Sequence, residues 1–338
     1  MHCSQKADPM TFAKKALTLT ALAAVAGGGV GVATAQSTNL NGAGATFPAP
    51  IYQRWFADLA ASGGPKTNYQ SVGSGAGIRQ FVAGTVDFGA TDEPITAAQA
   101  AKVKRGVVQF PAVGGTIAIA YNKPGCDLKL TQKQAADIFL GTINDWKQLK
   151  CGSGKITVAH RSDGSGTTFA FTNSLAAFSP TFKTKVGVGK SVNWPVGVGG
   201  KGNEGVAGVL STTPGSIGYV NQSYVRGVIK AAAVQNKAGN FVKPNFKSGS
   251  AALNGIILDK DLAGEDPNPA GAQSYPISTL TWILAYKTGN GAKAGDLREA
   301  FAFMLNNKSQ GLADNLGYVP LRGDILKKAK AAIGNVGS

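Results

Sequence analysis

Arg161-Ser162-Asp163-Gly164-Ser165-Gly166-Thr167 runs directly into Thr168-Phe169-Ala170-Phe171: an arginine, an acid, small residues and hydroxyls, then a helical pattern. A helix entered in this way turns unpaired backbone N–H groups, a hydroxyl donor and the positive end of its dipole towards whatever lies in front of it. That is the chemistry of an oxyanion site. Two further segments share the design. In Gly42-Ala43-Gly44-Ala45-Thr46-Phe47-Pro48 the proline suits a first helical position, and Ile51, Trp55 and Leu59 follow on one face. Gly73-Ser74-Gly75-Ala76-Gly77 precedes Ile78-Arg79-Gln80-Phe81-Val82. Taken singly, glycine-rich turns of this kind merely redirect an α/β chain. Three of them, one with an arginine, exceed what turning requires.

Outward from these segments, short β-rich runs alternate with amphipathic stretches, the pattern of an α/β protein with largely parallel sheets. Thr131-Gln132-Lys133-Gln134 is a capping box ahead of Ala135, Ile138 and Phe139, with Gly141 as the stop. Leu297, Ala300, Phe301, Met304 and Leu305 form one apolar helical stripe. Two similar apolar runs ending in tyrosine, Gly115 to Tyr121 and Ser278 to Tyr286, are expected to be paired crossings between two lobes.

Of the 338 residues, 15% are charged, against roughly 25% in an average soluble domain. Glycine contributes 46 residues, about twice its usual share of ~7%, while 43% of the chain is hydrophobic, enough for packed cores. With two histidines and three cysteines, the familiar Cys/His zinc sets cannot be assembled. Lys14 and Lys15 precede a nearly uncharged stretch that closes on Ala33-Thr34-Ala35. This reads as a secretory signal over residues 1–35, cleaved before Gln36, with Met1 or Met10 as the start. Its apolar part is shorter than the ~20 residues needed to cross a bilayer. Cleavage removes three lysines and one aspartate from 34 basic and 18 acidic side chains, so the formal charge falls from +16 to +14. Cys126 and Cys151 then lie in an oxidising compartment, where a disulfide is expected.

Several chemistries fail residue by residue. Gly189-Lys190-Ser191 ends like a P-loop, but the glycine required earlier is Thr184; Gly42-x-Gly44 and Gly73-x-Gly75 have Phe47 and Ile78 where a dinucleotide fingerprint needs its third glycine. A Ser-His-Asp triad would have to use His160, whose neighbour Arg161 disfavours the imidazolium and occupies the opposite face of a strand. Scattered lysines, without an aromatic-basic cluster, argue against a nucleic-acid partner. Asp92, beside Pro94, reads on its own as a surface acid capping a helix over Ala97 to Lys104.

Seven motifs in order give a more specific reading: NGAGATFPAPIY (41–52), NYQSVGSGAG (68–77), VDFGATDEP (86–94), HRSDGSGTTFAFTNSL (160–175), NWPVGVGGKGNEGV (193–206), PGSIGYV (214–220) and GYVPL (317–321). Over these the chain resembles the periplasmic phosphate-binding proteins of the phosphate-specific ABC transporter. The resemblance implies a type II solute-binding fold: two α/β lobes joined by a two-strand hinge, residues 36–112 plus 281–338 forming lobe I and 113–280 lobe II, closing on dehydrated phosphate. It implies Thr46, Phe47, Ser74, Asp92, Arg161, Asp163, Ser165, Gly166 and Thr167 as phosphate ligands or their support. Asp163 would pair with Arg161, and Asp92 would accept the proton that phosphate carries and sulfate lacks. It further implies a periplasmic monomer without cofactor or catalysis, delivering inorganic phosphate to a membrane permease. A secreted phosphatase-like enzyme on the same cradle, a basic surface adhesin, and a binder of another protonated oxyanion such as arsenate remain open alternatives.

Overall fold

The structure is a computed structural model and describes residues 39–338; the expected export signal at 1–35 lies outside the described residues. In chain order the elements that matter are β1 (Leu40–Gly44), α1 (Ala49–Ala61), β2 (Thr67–Ser71), α2 (Ser74–Ala83), β3 (Phe88–Thr91), β4 (Val107–Asn122), α3 (Gln132–Phe139), β5 (Thr157–Arg161), α4 (Gly166–Phe178), β6 (Val198–Gly200), α5 (Gly202–Thr212), β7 (Ser216–Asn221), β8 (Ser278–Tyr286) and α6 (Lys293–Met304).

Most of the strands join one mixed sheet in the order β2-β1-β3-β8-β4-β7-β5-β6. Its flanks are parallel, β2-β1-β3 on one side and β7-β5-β6 on the other. The middle is antiparallel, because β8 pairs with both β3 and β4, and β4 with β7. The expectation of largely parallel sheets therefore holds for the two flanks and not for the junction. β4 is the shared element: residues 107–116 pair with β8, and Ile117 to Asn122 pair with β7. The two tyrosine-terminated runs do meet, but they overlap only where Ser278 faces Thr116 and Thr279 faces Gly115.

β4 is longer than its sequence suggests because it passes through Pro111. The register slips there: Thr281 faces Val113 while Trp282 faces Pro111, leaving Ala112 as the extra residue of a bulge. A proline has no N–H for the ladder, so within a sheet it is tolerated where a bulge interrupts pairing.

The helices form where their sequences dictate. Thr131 caps α3 through a complete capping box with Gln134, and Gly141, at φ 78°, turns the chain beyond it. In α6, Leu297, Ala300, Phe301 and Met304 are all fully buried, as is the following Leu305. α1 starts at Ala49, with Pro48 one position before the first helical residue. It buries Ile51, Tyr52, Trp55, Phe56 and Leu59, and the Trp55 indole donates to the Ser309 carbonyl at 2.8 Å. Burying each such large side chain contributes on the order of 1.5–3 kcal/mol, so this face holds α1, and with it the turn at Thr46, against the sheet. Cys126 and Cys151 form a disulfide with Cα atoms 5.3 Å apart. Among the described residues no helix is long and apolar enough to cross a membrane.

Candidate functional site

Thr46, Phe47, Ser74, Asp92, Arg161, Ser165, Gly166 and Thr167 are all buried, and Asp163 is partly buried. They come from strand-to-helix turns distant in sequence, and short contacts bind the turns together. The Gly75 N–H donates to the Gly164 carbonyl at 2.8 Å, joining the start of α2 to the loop before α4. A Cβ on Gly166 would lie 2.6 Å from Ser74 Oγ and 2.7 Å from Asp92 N, so only glycine lets α4 open this close to α2 and the end of β3. At Gly73, φ is +89° and a Cβ would collide with Asp163 Oδ2, so both backbone and space demand glycine. The helix ends α1, α2 and α4 thus converge, each with its first-turn N–H groups free of intrahelical partners.

Arg161 is 5% exposed. Its Nε donates to Asp163 Oδ1 at 2.8 Å and its Nη2 to Asp163 Oδ2 at 2.5 Å, a two-pronged grip that fixes the plane of the guanidinium. Burial works to raise the Asp163 pKa, but the Arg161 bonds and charge, with the Gly202 N–H at 3.0 Å, hold it below the ordinary carboxylate value. The pair is close to neutral. A negative ligand would therefore be held mostly by fixed dipoles and hydroxyls, which need no reorganisation on binding.

Hydroxyl protons are directed by what each oxygen already accepts. Ser74 Oγ accepts from the Asp92 N–H at 3.2 Å, and Ser165 Oγ accepts from the Thr168 N–H at 3.0 Å as the N-cap of α4. Thr167 Oγ1 donates to Asp92 Oδ2 at 3.1 Å. Asp92 itself is 1% exposed, and Oδ1 is buried with no hydrogen-bond partner. Burial pushes its pKa up to about 7 against the opposing influence of the Thr281 hydroxyl, the Arg161 charge and Thr167. This overturns the reading of Asp92 as a surface helix cap. The following helix is only Ala97–Ala100, and its cap is Thr96.

His160 stays off this side, as strand alternation requires. Its ring stacks on Trp194 with centroids 5.4 Å apart, and both line a surface cavity of about 340 Å³ that borders Arg161, Asp163 and Lys190. The larger cavities, of about 380 and 640 Å³, include none of the predicted residues. Among the described residues no group of three His, Cys, Asp or Glu side chains could hold a metal ion.

A fourth helix end went unread in the sequence. α5 begins at Gly202, whose N–H meets Asp163, and Asn203 is fully buried between Thr46 and Thr167. Its signal was present: Gly199-Gly200-Lys201-Gly202-Asn203 has the small residues of the other three turns, but lacks a hydroxyl or arginine to mark it.

A PBP superfamily domain matches residues 31–308. The phosphate-binding protein PstS of Xylella fastidiosa (strain Temecula1) is 41% identical over 309 residues, covering 86% of this chain and 84% of the relative. The chain belongs to the PstS family of phosphate-binding proteins. Among solved structures, a phosphate-binding protein from Stenotrophomonas maltophilia is similar with a TM-score of 0.72 at 22% identity, covering 87% of this chain and 94% of that one. An ABC-type phosphate transport receptor from Vibrio cholerae is similar with a TM-score of 0.55 at 21% identity, covering 83% and 99%. At these identities the structures show the fold alone; the sequence relative places the chain in the family.

Proposed function

We propose that this chain binds inorganic phosphate and delivers it to an ABC-type phosphate importer, without catalysing a reaction. The observation that carries the reading is Asp92: a carboxylate buried where three helix N-termini and Arg161 converge, with one oxygen unpartnered. Such an acceptor is costly in an anion site unless the ligand brings a hydrogen to it. Phosphate at neutral pH carries that hydrogen and sulfate does not.

In this reading Thr46, Ser74 and Ser165 supply hydroxyls, Phe47, Gly166 and Thr167 supply backbone N–H groups, the Thr167 hydroxyl orients Asp92, Arg161 supplies the cation, Asp163 aligns it, and Asp92 tests the ligand. Lobes of 36–112 plus 281–338 and of 113–280 would close over the phosphate. The register slip that sets Pro111 to Val113 against Thr281 and Trp282 supports a boundary there. Export through residues 1–35, a monomeric state and handover to a membrane permease complete the proposal. The PstS relative is named for binding rather than catalysis, which supports a non-enzymatic role. Isothermal titration with phosphate and sulfate, alongside a chromogenic phosphate ester, tests it. The expected outcome is a saturable 1:1 phosphate isotherm, no response to sulfate at pH 8 and no ester turnover; phosphate and sulfate binding alike would overturn it.

A further inference from the structure

Asn203 makes four hydrogen bonds from a fully buried position, and three of them end on ligand-candidate threonines. Its backbone N–H and its Nδ2 both donate to Thr46 Oγ1, at 3.0 and 2.8 Å. The second hydrogen of the same Nδ2 reaches Thr167 Oγ1 at 3.2 Å. Its Oδ1 accepts from the Asn221 N–H at 2.8 Å. That last bond fixes the amide: a backbone N–H can only donate, so oxygen must face β7 and nitrogen must face the threonines.

The consequence lies in the hydroxyl inventory. A threonine hydroxyl has one hydrogen to give and two lone pairs to receive. Both lone pairs of Thr46 Oγ1 are filled by Asn203, so its hydrogen can only be donated away from α5. The Thr46 backbone is held in place as well, its carbonyl accepting from the Tyr224 hydroxyl at 2.8 Å. Asn203, through its backbone N–H and its side-chain amide together, therefore turns the Thr46 hydroxyl into an obligate donor and, through the second amide hydrogen, ties that hydroxyl to Thr167, the residue that donates to Asp92.

We infer that Asn203 is a positioning residue for oxyanion recognition, acting through the Thr46 hydroxyl, which it makes a dedicated donor to the ligand. The inference rests on the phosphate reading above and adds to it a residue that never touches the ligand. An oriented donor needs no rotation when the anion arrives, so affinity is gained through preorganisation rather than through a new contact.

The test is a double-mutant cycle read by phosphate titration, with thermal melts to establish folding. Asn203→Ala is expected to weaken phosphate binding about tenfold, near the value of one oriented hydrogen bond. In a Thr46→Val background, where there is no hydroxyl to orient, the same change is expected to cost no more than about threefold. Asn203→Asp keeps the shape but presents an acceptor to the Thr46 hydrogen, and is expected to weaken binding at least as much as Asn203→Ala; it also serves if the alanine variant does not fold. A purely structural asparagine would give equal losses, for either substitution, with and without the Thr46 hydroxyl. That result overturns the inference while wild type still binds phosphate. A wild-type protein that takes up no phosphate overturns the functional reading, and this inference with it.

Discussion

Thr167 and Asp92, 75 residues apart in sequence, are joined by a 3.1 Å hydrogen bond from hydroxyl to carboxylate, with both side chains buried. The bond engages Oδ2 and leaves Oδ1 with no partner, so the carboxylate has acceptor capacity to spare. Replacing that acceptor with an amide, as in Asp92→Asn, offers a hydrogen where wild type demands one. Sulfate should then bind measurably, and the preference for phosphate should fall by at least ten- to a hundredfold, within the 10⁴ to 10⁵ that a buried polar mismatch can enforce. Calorimetry with both anions checks this; a variant as selective as wild type would remove Asp92 from the selectivity mechanism.

The raised pKa of Asp92, about 7 and caused first by burial, carries a pH dependence whose sign is fixed. Folding favours the protonated form, so this residue's contribution is fully present below its ordinary pKa of about 4 and fades as pH rises through about 7. Without phosphate, the melting temperature should therefore decline across that window. Glu265 is also raised to about 7, by burial and by the nearby Glu93, and contributes in the same direction. Asp92→Asn should remove part of the slope and leave the share due to Glu265. Melting curves from pH 4 to 8 for both proteins decide, and parallel curves would refute the assignment.

The same protonation predicts how wild type treats sulfate. Below about pH 7 the carboxyl is neutral and carries its own hydrogen, so the mismatch with sulfate disappears. Sulfate affinity should rise as pH falls from 8 to 5, while Asp92→Asn binds sulfate with little change over that range. A flat sulfate response in wild type would show that exclusion has another origin.

These predictions differ in how far the sequence anticipated them. The turns at Thr46, Ser74 and Ser165 were legible because small residues, hydroxyls and a helical period occur together, and the capping box at Thr131 because its two partners are three residues apart. Asp92 was not legible from local pattern: an acid beside a proline and ahead of a helix looks like a cap, and only the burial of β3 between β1 and β8 removes it from solvent. The resemblance, not the local chemistry, singled it out. The apolar run Gly115 to Tyr121 covers only part of β4, because nothing in the local pattern marks the bulge that lets Pro111 sit inside a strand. The glycines before Asn203 marked a turn but not the role of Asn203 itself, since an asparagine after glycines means a turn in most sequences; that role comes from Thr46 and Thr167, 157 and 36 residues away.

Stability offers an independent check on the bridge between Cys126 and Cys151, which closes a 25-residue separation. Chain entropy alone assigns roughly 3 to 4 kcal/mol to a loop of that size. The doubly substituted Cys126→Ser/Cys151→Ser protein should be less stable to urea by that amount, with phosphate affinity within about twofold of wild type, because the hydrogen bonds of both cysteines run to Tyr121, Lys123 and Trp146 and to no cradle residue. Loss of phosphate binding in a folded double variant would contradict this separation of stability from recognition.

Gly166 tests whether closeness of the turns, and not only their chemistry, makes the site. A methyl group there would fall 2.6 Å from Ser74 Oγ and 2.7 Å from both Asp92 Cβ and Asp92 N. Two of these three atoms cannot rotate out of the way, so Gly166→Ala must push the start of α4 away from α2 and from the end of β3. The helix itself tolerates alanine better than glycine, so the fold should hold while its donors retreat from one another. Hydrogen bonds weaken steeply beyond their normal lengths, and several would stretch together. Phosphate affinity should drop by about tenfold or more, and the melting temperature should fall as well, because forcing a methyl group into packed surroundings costs roughly 1–3 kcal/mol. An alanine variant that binds like wild type would mean that the turns need not approach this closely to hold the anion.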